Sequence, residues 1–409
     1  MHGILHQIAA VLVGQSGPAL HFSLVLFLVF ATAKIFGEIF ERFGQPGIVG
    51  EILAGVVLGP GMLDWVQPDR IMTALAEMGA MFLLFRVGLE VHASELLSVG
   101  RTALLVATLG VVLPFFSGWA ILAIAGASRT EGIFVGAAMV ATSVGITAQV
   151  LASRGLLNRR ASQVILAAAV IDDILGLLVL AFASSFAGGT INIPGLATTA
   201  VLAGGFTFIV AKFGTRAFQR ILPKLQRNLS TKEAQFNLGL IFLFGLSWLA
   251  AYIGIAAIIG AFLAGLAFSE AADRRVQDLA HGITELLVPF FLATIGLQLR
   301  LTDFGRSRTL LLSVFILLAA VLSKLIGCGL GALRFGSSDA LRVGVGMIPR
   351  GEVGMVVAQI GLRMGIIERP VYAVVVFMTV ATTLLAPPLL KLAYRSSHQD
   401  AAREEFSLG

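Results

Sequence analysis

The sequence has little charge, almost no cysteine and no recognisable catalytic motif, and each shortage excludes a class of protein. Only 13% of its 409 residues are charged, against about 25% in soluble domains, so we exclude a soluble fold. The single cysteine, Cys328, cannot form an intrachain disulfide and leaves the redox compartment open. The chain contains no HExxH, no GxSxG and no cysteine–histidine metal spacing. We therefore predict neither a catalytic residue nor a cofactor.

Long apolar runs dominate the rest of the chain. Hydrophobic residues make up 57% of it and the mean hydropathy is +0.93, which indicates an all-α polytopic membrane protein. About thirteen runs are long enough to cross roughly 30 Å of hydrocarbon. They are Leu20–Phe40, Gly47–Leu63, Ile71–Val91, Thr102–Gly126, Gly132–Leu151, Ser162–Ala187, Pro194–Thr215, Ala234–Ala250, Tyr252–Ser269, Thr284–Leu299, Thr309–Leu333, Ala340–Leu362 and Pro370–Leu392. The first run has no convincing small-residue cleavage site, so we predict a retained span rather than a signal peptide.

Lysine and arginine predict the orientation in the membrane. The formal net charge is +6, but the cations lie in short loops rather than in a patch interleaved with aromatics, so we predict no nucleic-acid partner. The loop between the seventh and eighth runs has the most: Lys212, Arg216, Arg220, Lys224, Arg227 and Lys232. By the positive-inside rule, the N-terminus lies outside and the C-terminus in the cytoplasm. The lack of an organellar targeting segment favours a bacterial inner (plasma) membrane.

An internal repeat relates the two ends of the chain. Ile48–Gly55 and Ile258–Gly265 share five of eight residues at an offset of 210, and the third and tenth runs match at an offset of 208. Runs one to six therefore correspond to runs eight to thirteen. Because seven is odd, the two halves must have opposite topology. Inverted repeats of this kind are typical of secondary transporters.

Charged residues lie near the middle of several apolar runs. Asp172 and Asp173 are adjacent within Ser162–Ala187, and Lys324 lies near the middle of the eleventh run. Each ionised group at the bilayer midplane costs about 2.5–3.5 kcal/mol, so intramembrane charges mark function by default. We allow a minor alternative in which these residues form a structural charge pair, and give that alternative more weight for Lys324.

The fifth and twelfth runs each contain a segment that disfavours a continuous helix. Ala141–Thr147 is rich in hydroxyls and glycine, and Ile348–Gly354 contains Pro349 and Gly351. Where two such breaks cross, the half-helix ends need counter-charges. We expect Arg350 and Glu352 to supply that compensation. The five charged residues near this depth sum to one surplus negative charge, which a small cation and a proton could neutralise in turn.

The motifs AAVIDDILGLLVL, ATSVGITAQVL, LLFRVGLE and MIPRGEVGMVVA together resemble the monovalent cation/proton antiporter-2 family. The resemblance implies the NhaA-like antiporter fold with crossed broken helices, electrogenic exchange of sodium or lithium for protons, and a homodimer. It implies a dimerisation domain (residues 1–96 and 219–302), a mobile core (97–190 and 303–396), a linker helix (191–218) and a cytoplasmic tail (397–409). The core would carry the ion by an elevator-type movement.

The resemblance also implies roles for individual residues. Asp173 would be the principal cation-binding and proton-carrying carboxylate, and together with Asp172 it would bind sodium. Asp172 would pair with Lys324 when no cation is bound. Thr142 and Ser143 match positions that line the cation site.

Other functions stay open at this point. An electroneutral sodium or potassium exchanger and a sodium-coupled organic-anion transporter are the alternatives, while a channel would need charges around a symmetry axis. Potassium-efflux relatives carry a cytosolic nucleotide-binding domain, but no GxGxxG follows the last run here. We therefore expect no ligand gating through an attached domain.

Overall fold

The computed structural model describes residues 18–92, 98–187, 193–226, 234–300 and 307–407, and within these ranges all regular structure is helical. The helices are α1 (Pro18–Arg42), α2 (Gly47–Leu58), α3 (Arg70–Glu90), α4 (Gly100–Ile124), α5 (Arg129–Val140), α6 (Val144–Ser153), α7 (Arg160–Ala187), α8 (Ile193–Gln226), α9 (Ala234–Ile253), α10 (Ala257–Phe268), α11 (Arg274–Leu297), α12 (Ser307–Ala332), α13 (Ser337–Gly346), α14 (Glu352–Arg363) and α15 (Arg369–Ser407). A 3₁₀ turn, Leu333–Phe335, follows α12.

Ten helical segments in the described ranges are long and apolar enough to cross a membrane. The helices α2 and α10 are equally apolar but contain only twelve residues each, about 18 Å at 1.5 Å per residue. The predicted all-α membrane fold is thus confirmed. The count of thirteen spans stays a prediction.

Two predicted helix starts are wrong, and both errors come from counting apolar residues alone. The helix expected to begin at Thr284 begins at Arg274, because the Asp273 carboxylate accepts a hydrogen bond from the Val276 N–H at 2.9 Å and caps an amphipathic turn. Tyr252, expected to open the ninth span, instead lies in the last turn of α9. The chain then turns at Gly254, whose φ of +95° suits glycine, before α10 begins.

Both segments expected to break do interrupt their helices. The fifth span consists of α5 and α6 separated by residues 141–143, and the twelfth consists of α13 and α14 separated by residues 347–351. Pro349 lies inside the second interruption, where its missing N–H removes a helical hydrogen bond. These two interruptions lie within the densely buried part of the protein.

The helices pack as two groups. In the first, α3 packs against α10 and α11, and α2 packs against α1 and α11, while α9 covers α10. In the second, α4 packs against α5, α7 and α12, and α13–α15 pack onto this set. The long helix α8 contacts α7 in one group and α9 and α10 in the other. The helix α6 also contacts both groups, since it packs against α3 in the first and against α7 and α15 in the second. The described parts of the chain therefore form two helical groups joined through α6 and α8.

Glycines bring backbones into close contact within the first group, and they do so reciprocally. A Cβ atom added to Gly55 would lie 1.9 Å from the Ala293 carbonyl oxygen, and one added to Gly265 would lie 2.1 Å from the Phe85 carbonyl oxygen. Gly55 and Gly265 are 210 residues apart, and Phe85 and Ala293 are 208 apart. These are the offsets of the sequence repeat, so equivalent residues make equivalent contacts.

Candidate functional site

The two interruptions touch each other through the backbone. The Ser143 N–H donates to the Pro349 carbonyl oxygen at 2.8 Å. The Thr147 hydroxyl donates to the Gly346 carbonyl oxygen at 2.6 Å and so satisfies an acceptor at the C-terminal end of α13. Each break therefore supplies partners that the other break leaves unsatisfied.

A buried ion pair lies beside this crossing. The Lys324 ammonium on α12 donates to both carboxylate oxygens of Asp172 on α7, at 3.0 Å and 3.2 Å. The Thr142 N–H, in the α5–α6 break, donates to the same carboxylate at 3.0 Å. Both side chains of the pair are wholly buried. Helices from three parts of the sequence thus converge on Asp172, and its charge is balanced by Lys324 and by the Thr142 backbone N–H.

Arg350 occupies the other side of the crossing and is also wholly buried. Its guanidinium donates to the carbonyl oxygens of Val140 and Ala141, at 3.1 Å and 3.5 Å, and to that of Ala320 at 3.2 Å. Val140 and Ala141 end α5, where a helix leaves carbonyls unpaired and carries partial negative charge. The placement of Arg350 is therefore that of a counter-charge for the α5 half-helix, with a further tie to α12.

Two threonines that the sequence analysis did not single out hold the backbone of Arg350. The Arg350 N–H donates to the Thr382 hydroxyl at 3.2 Å, and the Thr383 hydroxyl donates to the Arg350 carbonyl oxygen at 2.8 Å. Both lie in α15 and are fully buried. The signal in the sequence was a pair of adjacent hydroxyls in an apolar run. Such hydroxyls can bond the backbone groups that an unwound neighbouring segment leaves unpaired.

The remaining predicted site residues have different positions. Asp173 is 7% exposed and follows Asp172 in α7. Ser143 is 8% exposed and lies in the α5–α6 break. The Thr142 hydroxyl is buried and has no hydrogen-bond partner among the described residues. Glu352 begins α14, but its side chain lies outside the described part of the structure, so its predicted compensating role and the predicted charge sum stay predictions.

Two cavities lie between the helical groups. One, which we call the Glu77 cavity, has a volume of about 670 Å³ and is lined by α3, α11, α14 and α15, including Gln359 on α14. The other, which we call the Lys34 cavity, has a volume of about 600 Å³ and is lined by α1, α2, α6 and α11, including Gln149 on α6. Each cavity therefore borders the second half of one interrupted span.

The Lys34 cavity has an ionic cluster at its wall. The Lys34 ammonium lies 3.3 Å from a Glu51 carboxylate oxygen and 3.5 Å from one of Glu285. At the rim of the Lys34 cavity, the Lys391 ammonium of α15 donates to the Gly44 carbonyl oxygen in the α1–α2 turn and so connects the two helical groups. Glu77 and Glu285 are equivalent in the sequence repeat, so equivalent acids line the two cavities. The cations differ, since Lys34 lines one cavity and Arg300 and Arg369 line the other.

Comparison with known proteins identifies the family. Residues 25–393 match the family described as sodium/hydrogen exchanger, transmembrane. A Na(+)/H(+) antiporter of Enterococcus hirae is 34% identical over 376 residues, which cover 90% of this chain and 96% of the relative. The Na(+)/H(+)-K(+) antiporter GerN of Bacillus cereus is 32% identical over 375 residues, which cover 90% and 95% of the two chains.

The fold also has a solved counterpart. The sodium proton antiporter MjNhaP1 from Methanocaldococcus jannaschii superposes with a TM-score of 0.70 over 93% of this chain and 97% of its own, at 18% sequence identity. At that identity the likeness shows the fold alone. The family match itself spans residues 25–393, and the two bacterial relatives align with nine-tenths of the sequence. The chain belongs to the transmembrane sodium/hydrogen exchanger family.

Proposed function

We propose that this protein exchanges sodium or lithium for protons across a bacterial plasma membrane, at the crossing of α5–α6 with α13–α14. One observation carries the proposal: Asp172 is wholly buried and neutralised by Lys324, Asp173 is adjacent in the chain, and Thr142, whose N–H donates to Asp172, has a buried hydroxyl with no hydrogen-bond partner among the described residues. Charges at this depth in a membrane are expensive, and they typically mark an ion or proton pathway. Family membership and the antiporter names of the relatives support the same reading.

Asp173 and Asp172 bind the cation, with Asp173 the main ligand and proton carrier. Transporters of this plan coordinate sodium with oxygen atoms at unwound helices. The α5–α6 break supplies such atoms, since the buried Thr142 hydroxyl has no hydrogen-bond partner in the described part of the chain and Ser143 follows it in the same break. A proton on Asp173 removes the charge that attracts sodium, so the two ions compete for one site.

Lys324 makes the exchange electrogenic. When sodium enters, it draws the Asp172 carboxylate away from an ammonium that is wholly buried and 3.0 Å distant. A buried ammonium without a counter-ion favours its neutral form, because desolvation penalises charge. Lys324 then releases a proton in addition to the one from Asp173, so more protons than cations move per cycle. Arg350 stays charged throughout, which suits its contacts with the α5 carbonyls.

Access alternates by movement of the second helical group against the first. The two cavities lie between these groups and border α6 and α14, which lead to the two breaks. With the N-terminus outside, the Lys34 cavity opens toward the cytoplasm and the Glu77 cavity toward the exterior. An elevator-type shift of the group that contains Asp172, Lys324 and Arg350 would close one cavity as the other opens.

The first group serves as the scaffold and forms a homodimer, as an inverted-repeat architecture would allow. The reciprocal contacts of Gly55 and Gly265 at the repeat offsets support two related halves. They hold α2, α3, α10 and α11 at backbone contact distance, which suits a stationary body. The exposed apolar residues of α1 and α8, including Phe27 and Phe208, face lipid or a second copy.

Transport by the purified protein in liposomes tests the proposal. A sodium jump on a solid-supported membrane should give a transient current that shrinks as protons are added, and a pH-sensitive dye inside the liposomes should report proton movement. Asp173→Asn should abolish both signals while the protein still purifies as a folded species. Exchange by this variant at the normal rate, or sodium binding that ignores pH, contradicts the assignment.

A matched pair of threonine variants tests the cation site separately. Thr142→Val removes a hydroxyl that bonds to none of the described residues, so the thermal stability should hold while the KM for sodium rises several-fold. Thr147→Val removes a hydroxyl that donates to Gly346 at 2.6 Å, so it should lower thermal stability by the loss of about 1 kcal/mol. If both variants changed only stability, Thr142 would not be a ligand.

Potassium is the second candidate cation, because the name of GerN includes it. The same current assay with a potassium jump distinguishes the two, since only a transported cation should respond with a saturable signal. Proton movement without current would favour electroneutral exchange, with Lys324 as a structural partner. Uptake of an organic anion without proton movement would favour the sodium-coupled alternative.

A further inference from the structure

A glycine on α4 faces the lysine of the buried ion pair. A Cβ atom added to Gly110 would lie 3.3 Å from the Lys324 ammonium nitrogen, 3.6 Å from its Cδ and 2.7 Å from the Cys328 sulfur. Lys324 and Cys328 are one helical turn apart on α12, so they present neighbouring side chains to the same point on α4. Any side chain at position 110 would compete with the ammonium for space.

Two other glycines of this helix pair, Gly327 and Gly331, have a different reason to be small. A Cβ added to Gly327 would lie 2.8 Å from the Leu109 carbonyl oxygen, and one added to Gly331 would lie 2.8 Å from the Val106 Cα. Those contacts are with backbone, which cannot move away without separating α4 from α12. The contacts at Gly110 are with two side chains, the Cys328 sulfur at 2.7 Å and the Lys324 chain at 3.3 Å and 3.6 Å. A substitution there should therefore displace Lys324 and Cys328 rather than separate the two helix backbones.

We propose that Gly110 is a positioning residue for Lys324, because it leaves the space in which the ammonium lies while it pairs with Asp172. The role in transport rests on the proposed function, whereas the steric role does not. The charged and titratable groups that act on Lys324 are Asp172 on α7, Arg350 in the α13–α14 break and Cys328 on its own helix. Asp172 is the acid that it contacts, at 3.0 Å and 3.2 Å, so a displaced ammonium loses its counter-ion.

The test compares Gly110→Ala with Lys324→Gln in the liposome current assay. If the added methyl moves the ammonium off Asp172, the charge moved per sodium, the KM for sodium and the pH dependence of that KM should all shift toward the Lys324→Gln values. Gly327→Ala is the control, since it adds the same methyl to the same helix contact but meets only backbone. It should lower thermal stability while the pH dependence of the KM in the surviving folded protein stays as in wild type.

A stability cycle makes the test independent of transport. The drop in melting temperature caused by Gly110→Ala should shrink in the Lys324→Gln background, because the methyl acts through the lysine. Cys328→Ala should restore Gly110→Ala only in part, since it removes the 2.7 Å contact with the sulfur but the methyl would still lie 3.3 Å from the ammonium nitrogen. An unchanged drop, or full rescue by Cys328→Ala, would overturn the proposal and reduce Gly110 to a packing residue. If wild type gave no sodium current, the proposed function would fail while this cycle still decided the positioning role.

Discussion

Replacing Lys324 with glutamine separates the energy of the buried ion pair from the packing around it. Both partners are wholly buried, and removing one partner of such a pair typically costs about 3–5 kcal/mol. A glutamine amide can still donate one neutral hydrogen bond, worth about 1 kcal/mol. We therefore expect Lys324→Gln to lower the free energy of unfolding by about 2–4 kcal/mol.

The loss should be smaller when Asp172 is neutralised as well. In Asp172→Asn/Lys324→Gln neither partner of the pair is charged. The asparagine side chain still offers an acceptor to the Thr142 N–H. The double variant should therefore lose less than the sum of the two single variants, with a coupling of roughly 1–3 kcal/mol. That difference is the contribution of the pair itself.

The measurement is thermal unfolding of the purified protein in detergent at a scan rate for which the transition is reversible, because a free energy converts into a Tm shift only at equilibrium. At about 2.1 cal/mol/K per residue, the unfolding entropy of 409 residues makes the Lys324→Gln loss equivalent to a fall of about 2–5 °C in Tm. Additive losses in the double variant, or no fall in the single variant, would refute the pairing seen at 3.0 Å.

The remaining predictions concern Arg350 and the scaffold glycines. Arg350→Lys should lower thermal stability and sodium transport together, because one ammonium cannot reach both the α5 carbonyls and α12; an unchanged melting curve would show that the bridging contacts are dispensable. Gly265→Ala should prevent stable folding, since its Cβ would lie 2.1 Å from a backbone oxygen. Gly245→Ala, with nothing within 4 Å of its added Cβ, should raise stability by up to about 1 kcal/mol, and equal yields of the two variants in a fluorescence size-exclusion assay would contradict this reasoning.

The sequence predicted the features that depend on local chemistry. Pro349 and the hydroxyl-rich segment after Ala141 indicated the interruptions, because proline and glycine disfavour helix whatever surrounds them. Asp172 and Lys324 stood out because charge is rare in apolar runs. Which acid would meet which base was implied only by resemblance, and the structure is what places Lys324 against Asp172.

What the sequence could not predict depends on how helices approach each other. Thr382, Thr383 and Gly110 are ordinary residues of apolar helices until a neighbour's backbone or ammonium lies beside them. The amphipathic start of α11 was missed for a related reason, since a cap at Asp273 stabilises turns that an apolar-run criterion discards. A position that is small or polar because of a partner distant in the sequence shows no local periodicity from which it could be predicted.

The backbone hydrogen bond from Ser143 to Pro349 has a consequence for the energetics of a transport cycle. This hydrogen bond and the contacts of Arg350 with the carbonyl oxygens of α5 and α12 connect both interrupted spans into one unit. Under the proposed function, the ion ligands would then keep the same arrangement at either face of the membrane. Their intrinsic preference for sodium over protons would be equal on the two sides, and any directional bias would have to arise at the entrances, where Lys34 lines one cavity and not the other.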